Sequence, residues 1–358
     1  MVAMNDRLRQ ITESLEEADR QLVSALNARA KAIHEYNALR EEAGDEPLRI
    51  PKKAAVIESA RALADEFPKD SIDPVFREVL SACTQLIAPD VVAYFGAPGD
   101  LAHAAARDHF GHAPSFRPNE SVTAVLESVL HGHATFGVVP LETSSDGAIT
   151  ATLNGLVATD ATLCAERIVP LRYQLLSQSG ESSHVLKIYG SAQAIAACER
   201  QLRTRYPDAI LVDVQSGEAA AHFALGDDQS AALGSPLLKE LHALELIDDR
   251  LENDSAVRTR FGIVGNRLPS RTGHDRTMLA MAPGDDPGAL HEALRPLADR
   301  DINLTRIESR PSTSADWRHV FVLEMDGHIT DRAILTAVEE LRRLARYAKV
   351  LGSYPRPS

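Results

Sequence analysis

The chain has 358 residues, room for about two to three domains at roughly 150 residues each. Hydrophobic residues make up 44% and charged residues 25%, which excludes a mainly disordered chain and supplies apolar surface for several cores. Lys and Arg number 38 against 51 Asp and Glu, a net charge of −13 that argues against general nucleic-acid or anionic-membrane binding, since both need basic surface.

The first residues, Met-Val-Ala-Met-Asn-Asp-Arg, lead into a charged helix without the apolar core of a secretory signal. No stretch reaches the ~20 uncharged residues of a membrane span, so a cytoplasmic protein is expected. Cys83, Cys164 and Cys198 are odd in number and lack CxxC spacing, which predicts buried thiols rather than a disulfide framework or a zinc site. Leu8, Ile11, Leu15, Ala18, Leu22 and Ala25 recur at the three-four spacing of a helix, predicting one long amphipathic helix over 8–40. A loop over 41–51, a shorter helix to Phe67, a break at Pro68 and a third helix over 74–87 complete this all-α segment. One long helix and two short ones leave the apolar stripe short of partners. Pairing with a second copy is therefore expected, as a homodimer or homotetramer.

After Pro89 the texture changes. Val91 to Phe95 reads as a buried strand, Gly96 to Asp100 as a turn, and a helix begins near Leu101. A second strand over 137–140 leads through a polar loop to a helix from about Ala148. Further strands are predicted over 184–189, 209–212 and 260–264, with a helix over 191–206 between them. Strands alternating with helices predict an α/β domain with functional loops at strand ends. Residues 268–275 read as a linker. Beyond them come strand 277–282, helix 288–300, strands 303–309 and 319–325, helix 330–347 and a strand near Val350: a βαββαβ, ferredoxin-like α+β sandwich.

The chemistry concentrates where strands end. Glu142, Thr143, Ser144, Ser145 and Asp146 place two carboxylates and three hydroxyls beside an expected helix start, which suits a carboxylate-bearing ligand. An ordinary capping loop with Ser144 or Asp146 as N-cap is the alternative. Thr259-Arg260-Phe261 pairs a hydroxyl with a guanidinium at a strand start, either an anion-binding corner or a solvated edge. Gly288 opens a helix and permits close backbone approach, as a carboxylate site or as a structural turn. The Gly96–Asp100 turn lacks GxGxxG or Walker spacing, so no nucleotide site is read there.

These pieces together resemble the bifunctional P-proteins of phenylalanine biosynthesis. The resemblance rests on Gly137-Val138-Val139-Pro140 with Glu142, Ser144 and Gly147, on Thr259-Arg260-Phe261, on Gly288-Ala289-Leu290 and Glu308-Ser309-Arg310-Pro311, and on the ending Leu351-Gly352-Ser353-Tyr354-Pro355. It implies a chorismate-mutase-like helical domain over 1–89, a prephenate-dehydratase-like domain over 90–272 with a two-lobed, periplasmic-binding-protein-like α/β fold, and an ACT domain over 273–358. It also implies conversion of prephenate to phenylpyruvate, water and carbon dioxide, with L-phenylalanine as effector and neither cofactor nor metal. Thr259 is nominated as proton donor and Arg260 as partner of a substrate carboxylate. Glu142, Thr143, Ser144 and Gly99 are nominated to bind prephenate, and Arg29 and Arg40 to bind the mutase substrate. Gly288, Ala289, Leu290, Glu308 and Ser309 are the phenylalanine positions, with free N–H groups expected near Gly288 and Ala289.

Several family positions are altered. The mutase arginine near the N-terminus is Thr12, the Arg-Glu pair opening the second helix is Lys52-Lys53, and the late polar residue of the third helix is Ile87. A degenerate mutase domain is the expectation. In the dehydratase segment the family's Gly-Pro-Glu-Gly-Thr-Phe-Ser run reads Gly96-Ala97-Pro98-Gly99-Asp100-Leu101-Ala102. Thr143 stands for an asparagine, and Tyr173 and Ser191 stand for histidines. The alternatives are a non-catalytic phenylalanine-sensing paralogue, or altered prephenate chemistry such as decarboxylation. No nucleic-acid or membrane partner is expected.

Overall fold

Forty-one residues without Gly or Pro run as one helix, α1 (Val2–Glu42), in the computed structural model, which describes residues 2–43, 53–145, 147–182, 185–311 and 319–357. Pairs such as Arg9–Glu13 and Arg20–Glu17 lace its surface, each worth a few tenths of a kcal/mol. Its apolar stripe is bare: Leu8, Ile11, Leu15 and Leu22 each keep more than half of their surface exposed. Two shorter helices follow, α2 (Lys53–Leu63) and α3 (Lys69–Gln85). The third helix was expected from Pro74, but it starts a turn and a half earlier, with Pro68 as N-cap and Pro74 inside. Pro68 is the natural start because a proline lacks the N–H that the cap position leaves unpaired anyway. Ile87 lies past the end of α3, in a turn.

The chain divides into two compact units, one running to Asp90 and taking in Phe110–Ser115, the other holding Val91–His109 and everything from Phe116 onward. From Val91 the chain continues with β1 (Val91–Phe95), α4 (Leu101–Phe110), β2 (Ser115–Asn119), α5 (Val122–Leu130) and β3 (Phe136–Thr143). The predicted helix at Ala148 is replaced there by a short strand, β4 (Gly147–Ala148), before α6 (Thr150–Ala158). Next come β5 (Thr162–Pro170), β6 (Gln174–Ser177), β7 (Lys187–Gly190), α7 (Ala192–Arg205), β8 (Ile210–Asp213), α8 (Gly217–Leu225), β9 (Ser230–Gly234), α9 (Leu237–His242), β10 (Glu245–Asp248) and β11 (Arg258–Gly265). Of the strand expected over 184–189, His184 lies outside the described residues. Strands β2, β5, β6, β9 and β10 escaped the sequence pattern for physical reasons. β2 contains Pro118, Glu166 and Arg167 interrupt β5, and β9 is Ser-Ala-Ala-Leu-Gly, residues of low strand propensity buried by their surroundings.

The C-terminal segment is the expected βαββαβ: β12 (Asp275–Ala282), α10 (Ala289–Ala298), β13 (Leu304–Pro311), β14 (His319–Asp326), α11 (Arg332–Leu344) and β15 (Tyr347–Pro355). It is not a separate bead beyond a linker. The strands join one continuous sheet in the order β13-β14-β12-β15-β5-β11-β3-β1-β2, while β10-β6-β9-β7-β8 make a second sheet. The junction is β15 beside β5, with Gly352 opposite Leu163. A Cβ at Gly352 would meet the Leu163 carbonyl oxygen at 2.6 Å, so only glycine permits that approach. One apolar cluster crosses the seam, joining Leu153, Leu156 and Leu163 to Met278, Val322, Leu351 and Tyr354. Cys83 and Cys198 are buried as expected, but Cys164 is half-exposed, its thiol donating to the Arg267 carbonyl at 2.9 Å. Among the described residues no helix is long and apolar enough to cross a membrane.

Candidate functional site

Strands β3 and β11 run antiparallel, and their register sets Thr259 opposite Thr143 and Arg260 opposite Glu142. Side chains alternate along a strand, so the two threonines share one face and Arg260 with Glu142 the other. A register shift between Arg260 and Phe261 breaks the ladder here, a device that re-aims side chains beside sites. Thr259 is buried. Ser144 locks the strand ends together: its N–H donates to the Arg258 carbonyl at 2.9 Å, and its Oγ accepts from the Arg258 N–H at 3.0 Å. Ser144 is therefore not a helix cap, and α6 starts behind Ile149 without a side-chain cap. Asp146, the other expected cap, lies outside the described residues.

The opposite face carries a dense ion network. The Arg260 guanidinium meets Glu324 at 2.5 and 2.9 Å, Glu142 at 3.1 Å and Glu166 at 3.2 Å. Arg276 meets Glu166 at 2.6 Å, and Arg306 bridges Glu142 and Glu308, the latter at 2.8 Å. The Glu166 and Glu324 side chains are almost wholly buried, and the Tyr354 hydroxyl lies 3.5 Å from Glu166. Burial pushes both carboxyls up; for Glu324 the hydrogen bonds and charge of Arg260 outweigh it and hold the group below the usual range. For Glu166, Arg260 and Arg276 oppose burial without cancelling it, and the group stays raised. Burial disfavours the Arg260 charge, but Glu324 and Glu166 more than restore it. Arg260, nominated as a substrate partner, is thus held by three carboxylates of its own chain and faces away from Thr259.

Gly99 sits at φ 84°, where a Cβ would run into Leu238. Its N–H donates to His103 Nδ1 at 3.2 Å and its carbonyl accepts from Ser235 Oγ, so both main-chain groups are engaged within the protein. Asp100 closes the same turn by accepting from the Ala97 N–H at 2.8 Å; burial first and Glu218 second raise its carboxyl. His103 stacks on Tyr94 at 4.6 Å between centroids, and burial, with Arg107 nearby, lowers its pKa to about 4. Tyr173 is buried, and Ser191 caps α7 by accepting from the Ala194 N–H. Within the helical unit, Arg29 and Arg40 are half-buried on α1, and Arg29 Nε is buried without a hydrogen-bond partner among the described residues. Lys52 lies outside the described residues.

Near the start of α10, Gly288 adopts φ 86°, a left-handed conformation that an L side chain resists. The Ala289 N–H donates to the Asp286 carbonyl at 3.1 Å, so it is not free as expected. Strand alternation separates Glu308 from Ser309. Ser309 pairs with Phe321, which packs in the helix-side cluster with Leu290, whereas Glu308 pairs with Val322 on the side of the seam. Arg310 is buried, and its Nη1 lacks a hydrogen-bond partner among the described residues. Glu166, Arg276, Arg306 and Glu324 are the residues that motif reading missed. Their signal was faint: Arg306 and Glu324 are charged residues inside predicted strands, whereas Glu166 and Arg276 fell outside every predicted strand.

Among sequence families, residues 11–87 match chorismate mutase type II, 92–268 prephenate dehydratase and 278–343 the ACT domain. The chain is 30% identical to the bifunctional chorismate mutase/prephenate dehydratase of Aquifex aeolicus (strain VF5), over 98% of this chain and 98% of that one. It is 32% identical to its counterpart from Stutzerimonas stutzeri, with the same coverage of both. The chain belongs to the bifunctional chorismate mutase/prephenate dehydratase family. A solved prephenate dehydratase from Arthrobacter aurescens, in complex with L-Phe, is 33% identical, with a TM-score of 0.66 over 74% of this chain and 90% of that one. The prephenate dehydratase domain therefore carries Thr143, Glu166, Thr259 and Arg260, and the ACT domain carries Arg306 and Glu324. Among the described residues no cluster of three or more His, Cys, Asp or Glu is placed to hold a metal.

Proposed function

We propose that this chain converts prephenate to phenylpyruvate, water and carbon dioxide in the cytoplasm, with L-phenylalanine acting through the ACT domain. The observation that carries the reading is the buried Thr259 hydroxyl, set by register beside Thr143 at strand ends locked by Ser144. The reaction breaks the ring carbon–oxygen bond and the bond to the departing carboxylate. The electron pair of the latter enters the ring, and hydroxide takes up one proton and leaves as water. Thr259 supplies that proton, Thr143 and Ser144 offer hydroxyls to the substrate, and aromatisation drives the step without a cofactor. Glu142 and Arg260 act through the strands they tie together, and Gly99 through its packed turn. Thr259→Val removes the donor at nearly constant volume and should lower turnover about 10²–10⁴-fold. Full turnover in that variant refutes the assignment.

A second reading, a phenylalanine-sensing chain without turnover, is favoured by the engagement of Arg260 with three carboxylates, which leaves prephenate to find other cations. Incubating the full chain with prephenate separates the readings. Phenylpyruvate formation supports the dehydratase, loss without phenylpyruvate a non-aromatising decarboxylation, and no loss the sensor.

The mutase domain is proposed to serve assembly, its bare α1 stripe pairing with a second copy, because Thr12, Lys53 and Ile87 replace polar groups that chorismate chemistry uses. Rapid chorismate loss in the full chain overturns this. Phenylalanine is proposed to bind on the α10 side of the ACT sheet, near Gly288, Ala289, Leu290 and Ser309, with Glu308 reached through β13. Calorimetry should show heat that Gly288→Val abolishes, because valine is strained at φ 86°.

A further inference from the structure

The dehydratase strands and the ACT sheet are tied together by one ion network. Glu142, next to Thr143 at the end of β3, directs Oε2 at two guanidinium groups, Arg260 from β11 and Arg306 from the ACT strand β13. Arg306 spends its other Nη on Glu308, two residues along the same strand. β13 is the edge of the sheet, and among the described residues β14 alone pairs with it along the ladder. Its odd residue Ser309 shares the helix side with Phe321 and Leu290, and its even residues Arg306 and Glu308 lie on the seam side. One strand therefore presents the proposed effector face and the grip on the catalytic strand ends. From this arrangement we infer that Arg306 is a positioning residue of the dehydratase reaction, supplied by the ACT domain.

The physical argument is one of geometry. Glu142 and Arg260 are cross-strand partners at the register position next to Thr143 and Thr259. Holding that pair fixes the separation and twist of the strand ends carrying the two hydroxyls. Reacting groups misplaced by about 1 Å lose on the order of a hundredfold in rate, so a modest relaxation is enough to register in kcat. Arg306 suits the task because its planar fork spans two carboxylates at once, which a lysine ammonium on a flexible stem does not. Among the described residues β13 is paired on one side, by β14, so a ligand on its helix-side face would act on the same strand that holds Glu142 through Arg306.

The inference rests on the dehydratase reading, and the test separates the two. Full-length wild type, R306M, R306K and E142Q are assayed with prephenate, kcat and KM being measured separately, alongside thermal unfolding of each. R306M should lower kcat about 10-fold with KM within about 3-fold, because positioning acts on the transition state more than on binding. R306K should fall between, and R306M/E142Q should be no slower than the worse single variant, since the two residues act as one unit. An unchanged kcat in R306M, or fully additive losses in the double variant, overturns the proposal. Should R306M not fold, R306K carries the test, and a kcat equal to wild type overturns it. A wild-type chain that leaves prephenate untouched removes the dehydratase reading, and the inference with it.

Discussion

Removing the cation at the centre of the seam is the sharpest perturbation this fold offers. The network holds three arginines, Arg260, Arg276 and Arg306, against four carboxylates, Glu142, Glu166, Glu308 and Glu324. Arg260→Met leaves two cations for the same four anions, at nearly constant volume and without a new polar group. Truncating one member of a buried ion pair costs about 3–5 kcal/mol, because the remaining charge stays desolvated and uncompensated. Arg276 still lies 2.6 Å from Glu166 and 3.5 Å from Glu324, so the low end, about 3 kcal/mol, is the expected loss. Urea unfolding of the full chain at pH 7.5 should show the second unit's transition at lower urea with an unchanged slope. The loss should also depend on pH. Without Arg260, Glu324 loses the hydrogen bonds and charge that hold it low against burial, and Glu166, already raised, rises further, so the variant's folded form takes up protons more readily than that of wild type. The penalty is then full above the raised values and fades as pH falls towards 5. A variant as stable as wild type, or a deficit no smaller at pH 5 than at pH 7.5, would refute the reasoning.

Three further outcomes are expected. Gly99→Ala places a Cβ against Leu238 at φ 84° and should cost about 3 kcal/mol in urea unfolding, left-handed strain and overpacking together; a loss below about 0.5 kcal/mol contradicts the packing argument. His103, buried with a folded pKa of about 4 against an ordinary 6.5, favours the folded state fully above pH 6.5, and that contribution, about 3 kcal/mol, drains away as pH falls to 4. His103→Gln should flatten this acid limb in a pH series of unfolding midpoints, and an unaltered slope would locate the effect elsewhere. Leu22→Glu charges the bare α1 stripe and should lower the sedimenting mass to that of one chain, whereas an unchanged mass counts against assembly through this helix.

Periodicity and breakers were enough to read most elements. The three-four spacing of Leu8, Ile11, Leu15 and Leu22 specified α1, and the apolar run from Val91 to Phe95 specified β1, because local pattern and local conformation agree there. The ferredoxin-like order was legible for the same reason. Thr259 and Arg260 were legible as a motif, but their division of labour was not. A strand turns successive side chains to opposite faces, and only the β3–β11 register reveals that Thr259 meets Thr143 while Arg260 meets Glu142. The same alternation splits Glu308 from Ser309, adjacent in sequence and on different faces of β13.

Residues 268–275 looked like a linker between independent domains, and nothing local contradicts that. What overrules it is long-range: Gly352 lets β15 lie beside β5, and Glu324 reaches Arg260 across 64 positions of sequence. Charges inside strands, such as Glu166, Arg306 and Glu324, carry no pattern that names their partners. Their pairing is decided when distant strands are brought together, since a buried carboxylate is tolerable only where a guanidinium from another strand arrives to meet it.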